Sequence, residues 1–213
     1  MGQVADIGTR IELVSMDPHF QDISIALYHQ EADGTSRFLV QTYSQKDGAS
    51  SRVDFIVEAM ATLGGVESSA DGSSGHVVSF PCGARHFAAV RRLFLESCKI
   101  ASDQPLAPRP LATFDKKAEA EVTVVGEGSG QYRVSAAESN EKVDRRVSAI
   151  AAGLVKLGEM EAADGNRMRF SCGHDHDLLV GLLLPRAINV RQSLREQEQS
   201  ASRGVLAAPS QQE

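Results

Sequence analysis

Apolar and polar side chains alternate along Ile23-Ser24-Ile25-Ala26-Leu27, and a second extended run follows from Phe38 to Tyr43. A period of two sends successive side chains to opposite faces of an extended chain, so these runs predict half-buried strands. Glu31-Ala32-Asp33-Gly34 between them has the composition of a turn, which makes the pair an antiparallel hairpin. From Arg52 the period changes. Val53, Ile56, Val57 and Met60 fall at i, i+3, i+4 and i+7, the spacing of a helix with one buried stripe. His76 to Phe80 returns to a strand pattern, and Phe87, Val90 and Phe94 mark a second helix. Arg10 to Ser15 is expected to add a strand at the start.

The same succession then recurs. Glu121-Val122-Thr123-Val124 and Tyr132-Arg133-Val134 match the two hairpin strands, with Tyr132 standing where Phe38 stands in the first half. Val143, Val147, Ile150 and Leu154 form the next stripe, Arg167 to Phe170 the next strand, and Leu179 and Leu183 the last helix, which Pro185 is expected to end or kink. A weaker counterpart of the opening strand lies near Pro110 to Phe114. The clearest trace of duplication is Phe80-Pro81-Cys82-Gly83-Ala84-Arg85-His86 against Phe170-Ser171-Cys172-Gly173-His174-Asp175-His176, in which Phe, Cys, Gly and His keep their spacing.

These patterns predict an α+β (or α/β) fold of two tandem ββαβα repeats, packed about a pseudo-twofold axis as a dimer-like body. The expected boundaries are a first repeat over 1–100, a linker over 101–111 holding Pro105, Pro108 and Pro110, a second repeat over 112–192, and a polar, disordered tail over 193–213. Arg146 occupies the position of Ile56, so the two stripes are expected to meet different surroundings. Gly126-Glu127-Gly128-Ser129-Gly130 resembles a phosphate-cradling loop in composition, but it leads into the alternating Tyr132-Arg133-Val134-Ser135 rather than into a helix. It is read as a hairpin turn.

Composition narrows the classes of function. The 213 residues are 42% hydrophobic and 23% charged, with a formal charge of -6, and charges of both signs are interspersed. A nucleic-acid or membrane partner is not expected, because phosphate binding requires a concentrated basic surface and the longest apolar run, Leu178 to Leu184, is too short to cross a bilayer. Arg85, Arg91 and Arg92 are read as a solvated helix face. Met1 to Arg10 carries no secretory pattern, and three widely spaced cysteines do not suggest a disulfide framework, so a cytoplasmic location is expected. Gly-x-Ser-x-Gly is absent, and no nucleophilic triad is readable. Asp115 is read as a turn or strand-entry residue, and Cys98 as packing.

What chemistry there is lies at the two Cys-Gly-x-x-His junctions, each between a strand and a helix. The plainest reading makes Cys a small hydrophobe, Gly a turn residue and His a helix cap. A sharper one places the twofold axis beside both junctions, so that Cys82, His86, Cys172 and His176 converge as a tetrahedral zinc set. A third gives a thiol acidified by the following helix N-terminus. Cys and His four apart are expected to share a helical face. His174 has Ala84 as its counterpart and falls outside the repeated signature. Arg85 and Asp175 occupy equivalent positions and are expected to pair across the axis; Phe87 and Asp177 are likewise equivalent.

The functional expectation is a non-catalytic binding, assembly or scaffold protein, with an unidentified protein or small molecule as partner. The alternative is a zinc protein or metal-dependent enzyme using the shared Cys/His set. The chain is expected to be either a monomer with a pseudo-dimer body or a homo-oligomer.

Overall fold

The computed structural model describes residues 8–16, 23–32, 35–70, 75–83 and 86–189. The predicted tail from Ser193 lies outside them. The first half runs β1 (Gly8–Met16), β2 (Ser24–Ala32), β3 (Thr35–Thr42), α1 (Ala49–Gly64), β4 (Glu67–Ala70), β5 (Gly75–Ser79) and α2 (Phe87–Cys98). The second runs β6 (Ala112–Asp115), β7 (Ala120–Gly128), β8 (Gln131–Ala136), α3 (Glu141–Gly158), β9 (Glu161–Ala162), β10 (Arg167–Arg169) and α4 (Asp177–Ile188). Two antiparallel sheets result, ordered β1-β2-β3-β5-β4 and β6-β7-β8-β10-β9, in a mixed α+β architecture with four helices among the described residues. Each half is therefore βββαββα, which corrects the expected ββαβα.

The additional strands have a common physical property. All four residues of β4 and both of β9 are exposed, so neither carries the buried alternation by which a strand is read. They are held through the backbone ladder instead, with Ser68 opposite Val78 and Ala162 opposite Met168. In β6 Asp115 is buried while Phe114 is 61% exposed, inverting the usual signal.

The helical stripes behave as their periodicity requires. Val53, Ile56, Val57 and Met60 of α1 and Val143, Val147, Ile150 and Leu154 of α3 are all buried in one core with Phe80, Phe94, Phe170 and Leu183. α1 packs on α4, and α2 on both α3 and α4, so the helices carry the contact between the halves. The start of α3 is defined by Asn140, whose side-chain oxygen accepts the N–H groups of Lys142 and Val143, both at 3.0 Å. α3 and α4 approach closely because Gly153 has no side chain: a Cβ there would lie 2.9 Å from the carbonyl oxygen of Ala187.

α4 continues through Pro185 to Ile188, so of the two expected outcomes, an end or a kink, the helix does not end there. Proline removes one hydrogen bond within the final turns, where the chain is still anchored by buried Ala187. The basic cluster is corrected too. Arg92 is fully buried on the inner side of α2, with Nη1 3.7 Å from Glu96 Oε1, and Glu96 also pairs with Arg186 of α4. Burial alone would raise the Glu96 pKa, but Arg186 and Lys99 overcome it and hold the carboxyl below its usual value.

Arg146, at the α3 position matched in sequence to Ile56, donates from Nε to buried Asp115 Oδ2 at 2.7 Å and from Nη2 to the carbonyl of Ile188. Asp115 also accepts the N–H of Lys117, so the expected turn role is joined by an interior ion pair. No helix among the described residues is long and apolar enough to cross a membrane.

Candidate metal centre

The two Cys-Gly-x-x-His segments take matching local paths. β5 and β10 are each followed immediately by a phenylalanine, Phe80 or Phe170, whose carbonyl accepts the N–H of the glycine three residues on, at 2.9 Å for Gly83 and 3.1 Å for Gly173. Both glycines have positive φ, 62° and 70°, a conformation that L-residues with a Cβ adopt at a steric cost. The chain thereby reverses and presents the preceding cysteine at the tip of the turn.

The histidines stand immediately before the helices. His86 and His176 are N-cap residues whose carbonyls accept the N–H groups of Val90 and Val180, both at 2.9 Å. Neither imidazole caps its helix, which removes the expected capping role. Nor do Cys and His share a helical face, since both precede the first helical residue. The turn brings them together instead, with Cys82 Sγ 3.3 Å from His86 Nε2 and Cys172 Sγ 3.3 Å from His176 Nε2.

The halves then meet at this point. Cys82 Sγ is 3.6 Å from His176 Nε2, across the boundary between the units. Donor atoms of Cys82, His86, Cys172 and His176 all lie within 4.8 Å of one another. Zinc bonds of about 2.3 Å to sulfur and about 2.0 Å to nitrogen imply donor separations of about 3.3–3.8 Å around a tetrahedron. The three sulfur–nitrogen distances just given fall in that range and the remaining donor pairs lie within 4.8 Å, so an inward adjustment closes the set.

Both imidazoles are buried, whereas the sulfurs are half-buried. Phe80 contacts both rings edge-on, at centroid distances of 4.9 Å to His86 and 5.1 Å to His176, and Phe170 does likewise at 5.5 and 4.7 Å. This aromatic enclosure disfavours an imidazolium. Burial lowers the pKa of His86; burial, reinforced by the His86 and His174 rings and opposed by Asp175 and Asp177, takes His176 down to about 4. Neutral imidazole is the form that ligates a metal. Two thiolates with a divalent cation would also give the set no net charge, which suits a site lined by phenylalanine.

The second half supports its histidine with a polar network. Buried Tyr132 accepts the His176 N–H at 2.5 Å and donates to Asp177 Oδ1 at 2.9 Å, while Asp175 accepts the Gly130 N–H at 2.7 Å. Burial and the neighbouring Asp177 raise the tyrosine pKa, keeping its hydroxyl available as a donor. The equivalent residues in the first half, Phe38 and Phe87, meet edge-on at 5.6 Å, with His29 against both rings. An apolar pair in one half thus stands where a hydrogen-bonded pair stands in the other.

His174 is exposed, and its Nδ1 lies 2.9 Å from the carbonyl oxygen of Cys172 rather than among the four donors. Arg85 lies outside the described residues, as does its expected pairing with Asp175. Cys98 is 2% exposed and packs in the core, away from the cluster. Tyr132, Phe80 and Phe170 were not singled out by the sequence as site residues. The two phenylalanines open the repeated heptad, which was the available signal; Tyr132 occupies an inward strand position whose counterpart, Phe38, carries no polar group.

The chain matches no protein-family model, no curated protein and no solved structure.

Proposed function

We propose that the chain is a zinc protein in which one ion, held by Cys82, His86, Cys172 and His176, clasps its two halves into a single body. The observation that carries this reading is the convergence of two sulfurs and two imidazoles, one pair from each half, within 4.8 Å. Packing accounts for a buried cysteine or histidine separately. It gives no reason for Nε2 of His176 to face the sulfurs of both halves, at 3.3 and 3.6 Å, whereas a shared metal does.

Four protein ligands complete a tetrahedron and leave no position for substrate, which favours a structural ion over a catalytic one. The protein then acts as a non-catalytic binding or assembly module. Its halves, with equal strand order and matched ligand turns, are a fused pseudo-dimer about an axis through the metal. Thiolate ligands fit a reducing compartment such as the cytoplasm.

Elemental analysis of protein purified under reducing conditions tests the proposal. The expected content is one zinc per chain, lost when Cys82 and Cys172 are both changed to Ser. Cobalt substitution should give the visible absorption of a tetrahedral S2N2 site. A folded chain that takes up neither metal overturns the reading.

A further inference from the structure

Cys82 and Cys172 belong to different halves, yet their sulfurs belong to a donor set spanning no more than 4.8 Å. Both are half-buried rather than enclosed. Cys82 also lines a cavity of about 270 Å³ formed with Gly65, Pro81, His174, Asp177 and Leu178. A disulfide needs the sulfurs about 2.05 Å apart. Both turns border open space beside the cysteines: among the described residues, an added Cβ at Gly83 or Gly173 would meet nothing within 4 Å.

We propose that the clasp is redox-exchangeable: a hydroperoxide converts Cys82 and Cys172 into a disulfide between the halves and releases the zinc. This inference rests on the zinc reading above. In the first step one thiolate attacks the peroxide, the O–O bond breaks, and a sulfenic acid and hydroxide form. The second thiolate then attacks the sulfenic sulfur, forming the S–S bond and expelling a second hydroxide. Two protons convert the hydroxides to water. For hydrogen peroxide, two thiolates lose two electrons, the peroxide gains them, and the products are one disulfide, one zinc ion and two waters. The remaining imidazole pair lacks the thiolate charge and gives up the ion.

The consequence differs from oxidation of a metal site built within one segment. Here the new bond joins the same two turns that the ion joined, so the halves stay linked while the metal leaves. Cys98, 2% exposed and packed in the core, is an internal control because it lies outside the Cys/His donor set.

The test titrates reduced, zinc-loaded protein with hydrogen peroxide. Released zinc is followed with a colorimetric chelator, fold by circular dichroism, and cysteine state by non-reducing peptide mapping. The expected result is one zinc released for each Cys82–Cys172 disulfide formed, with Cys98 still a thiol, the circular dichroism retained, and reversal by dithiothreitol with added zinc. A Cys98→Ser variant should give the same course. Zinc retained under a large peroxide excess overturns the proposal, as does zinc release with Cys82 and Cys172 oxidised separately or joined between chains. A protein that binds no zinc before peroxide is added refutes the zinc reading itself, a result distinguishable from those outcomes.

Discussion

Replacing Tyr132 by Phe isolates the support of one proposed metal ligand, His176, from the packing around it. The ring is fully buried, and phenylalanine preserves its shape, so no cavity is opened. What disappears is one oxygen with two hydrogen bonds, accepted from the His176 N–H at 2.5 Å and donated to Asp177 at 2.9 Å. Asp177 is exposed and recovers a partner from water. The His176 N–H is buried and does not, and an unsatisfied buried donor costs about 1–3 kcal/mol.

A loss of about 2 kcal/mol follows, corresponding to a fall in Tm of roughly 4–8 °C for a chain of this size. Because that N–H fixes the backbone of a ligand, zinc affinity should also fall by about tenfold, at the lower end for groups that orient metal ligands. Calorimetry on metal-free and zinc-loaded protein separates the two effects, and competition with a chromophoric chelator measures affinity directly. The metal-free variant should show the stability loss, and the loaded variant a larger one. Unchanged Tm in both forms would refute the hydrogen-bond argument. Lower stability with unchanged zinc affinity would reduce Tyr132 to a core residue without a positioning role.

Three further outcomes follow from the same structure. His176→Ala should abolish stoichiometric zinc uptake while His174→Ala leaves it intact, as read by elemental analysis, because only the former imidazole faces both sulfurs. Removing zinc with a strong chelator should lower Tm reversibly, by the equivalent of about 4 kcal/mol where free zinc had stood at a thousandfold its Kd. Asp115→Asn should cost about 2 kcal/mol in chemical denaturation, less than for a fully buried pair because Arg146 is partly exposed, and the double variant with Arg146→Ile should recover part of it. Burial would raise the Asp115 pKa, but the Arg146 hydrogen bond and the Lys117 N–H bring it below its usual value. Its contribution is therefore present above the ordinary carboxylate pKa and lost as pH falls through the lowered folded value, a slope that the Asn variant should lack in acid titration.

The core helices and hairpin strands were legible because each buries one face, and burial leaves a period in the sequence. Val53 to Met60 and Val143 to Leu154 needed no tertiary information. β4 and β9 left no such period, since their residues face solvent and their order comes from backbone pairing. Arg92 shows the converse error. A charged residue was assigned to the surface, although Glu96, one helical turn away, supplies a carboxylate that lets it stay inside and that also pairs with Arg186 of α4. The ligand residues were visible as a repeat, but the repeat alone did not separate packing from coordination, because duplication copies both. What the sequence lacked was the relative placement of the halves, which sets the Cys82–His176 distance.

The differences between the halves are as informative as their likeness. At equivalent positions Phe38 and Phe87 pack edge-on, whereas Tyr132 and Asp177 hydrogen-bond; Ile56 fills core, whereas Arg146 reaches Asp115. These are exchanges of whole interacting pairs, apolar for polar, and a single member changed alone would leave a buried polar group without its partner. The two Cys/His pairs match between the halves, although the residues around them differ. A site that served packing alone in each half would have been free to follow its surroundings, with cysteine or histidine replaced by any side chain of suitable volume. A site that one ion shares constrains both halves together, since the loss of either pair leaves the other with half a tetrahedron. On the proposed zinc reading, shared coordination explains why the two Cys/His pairs match while the packing around them does not.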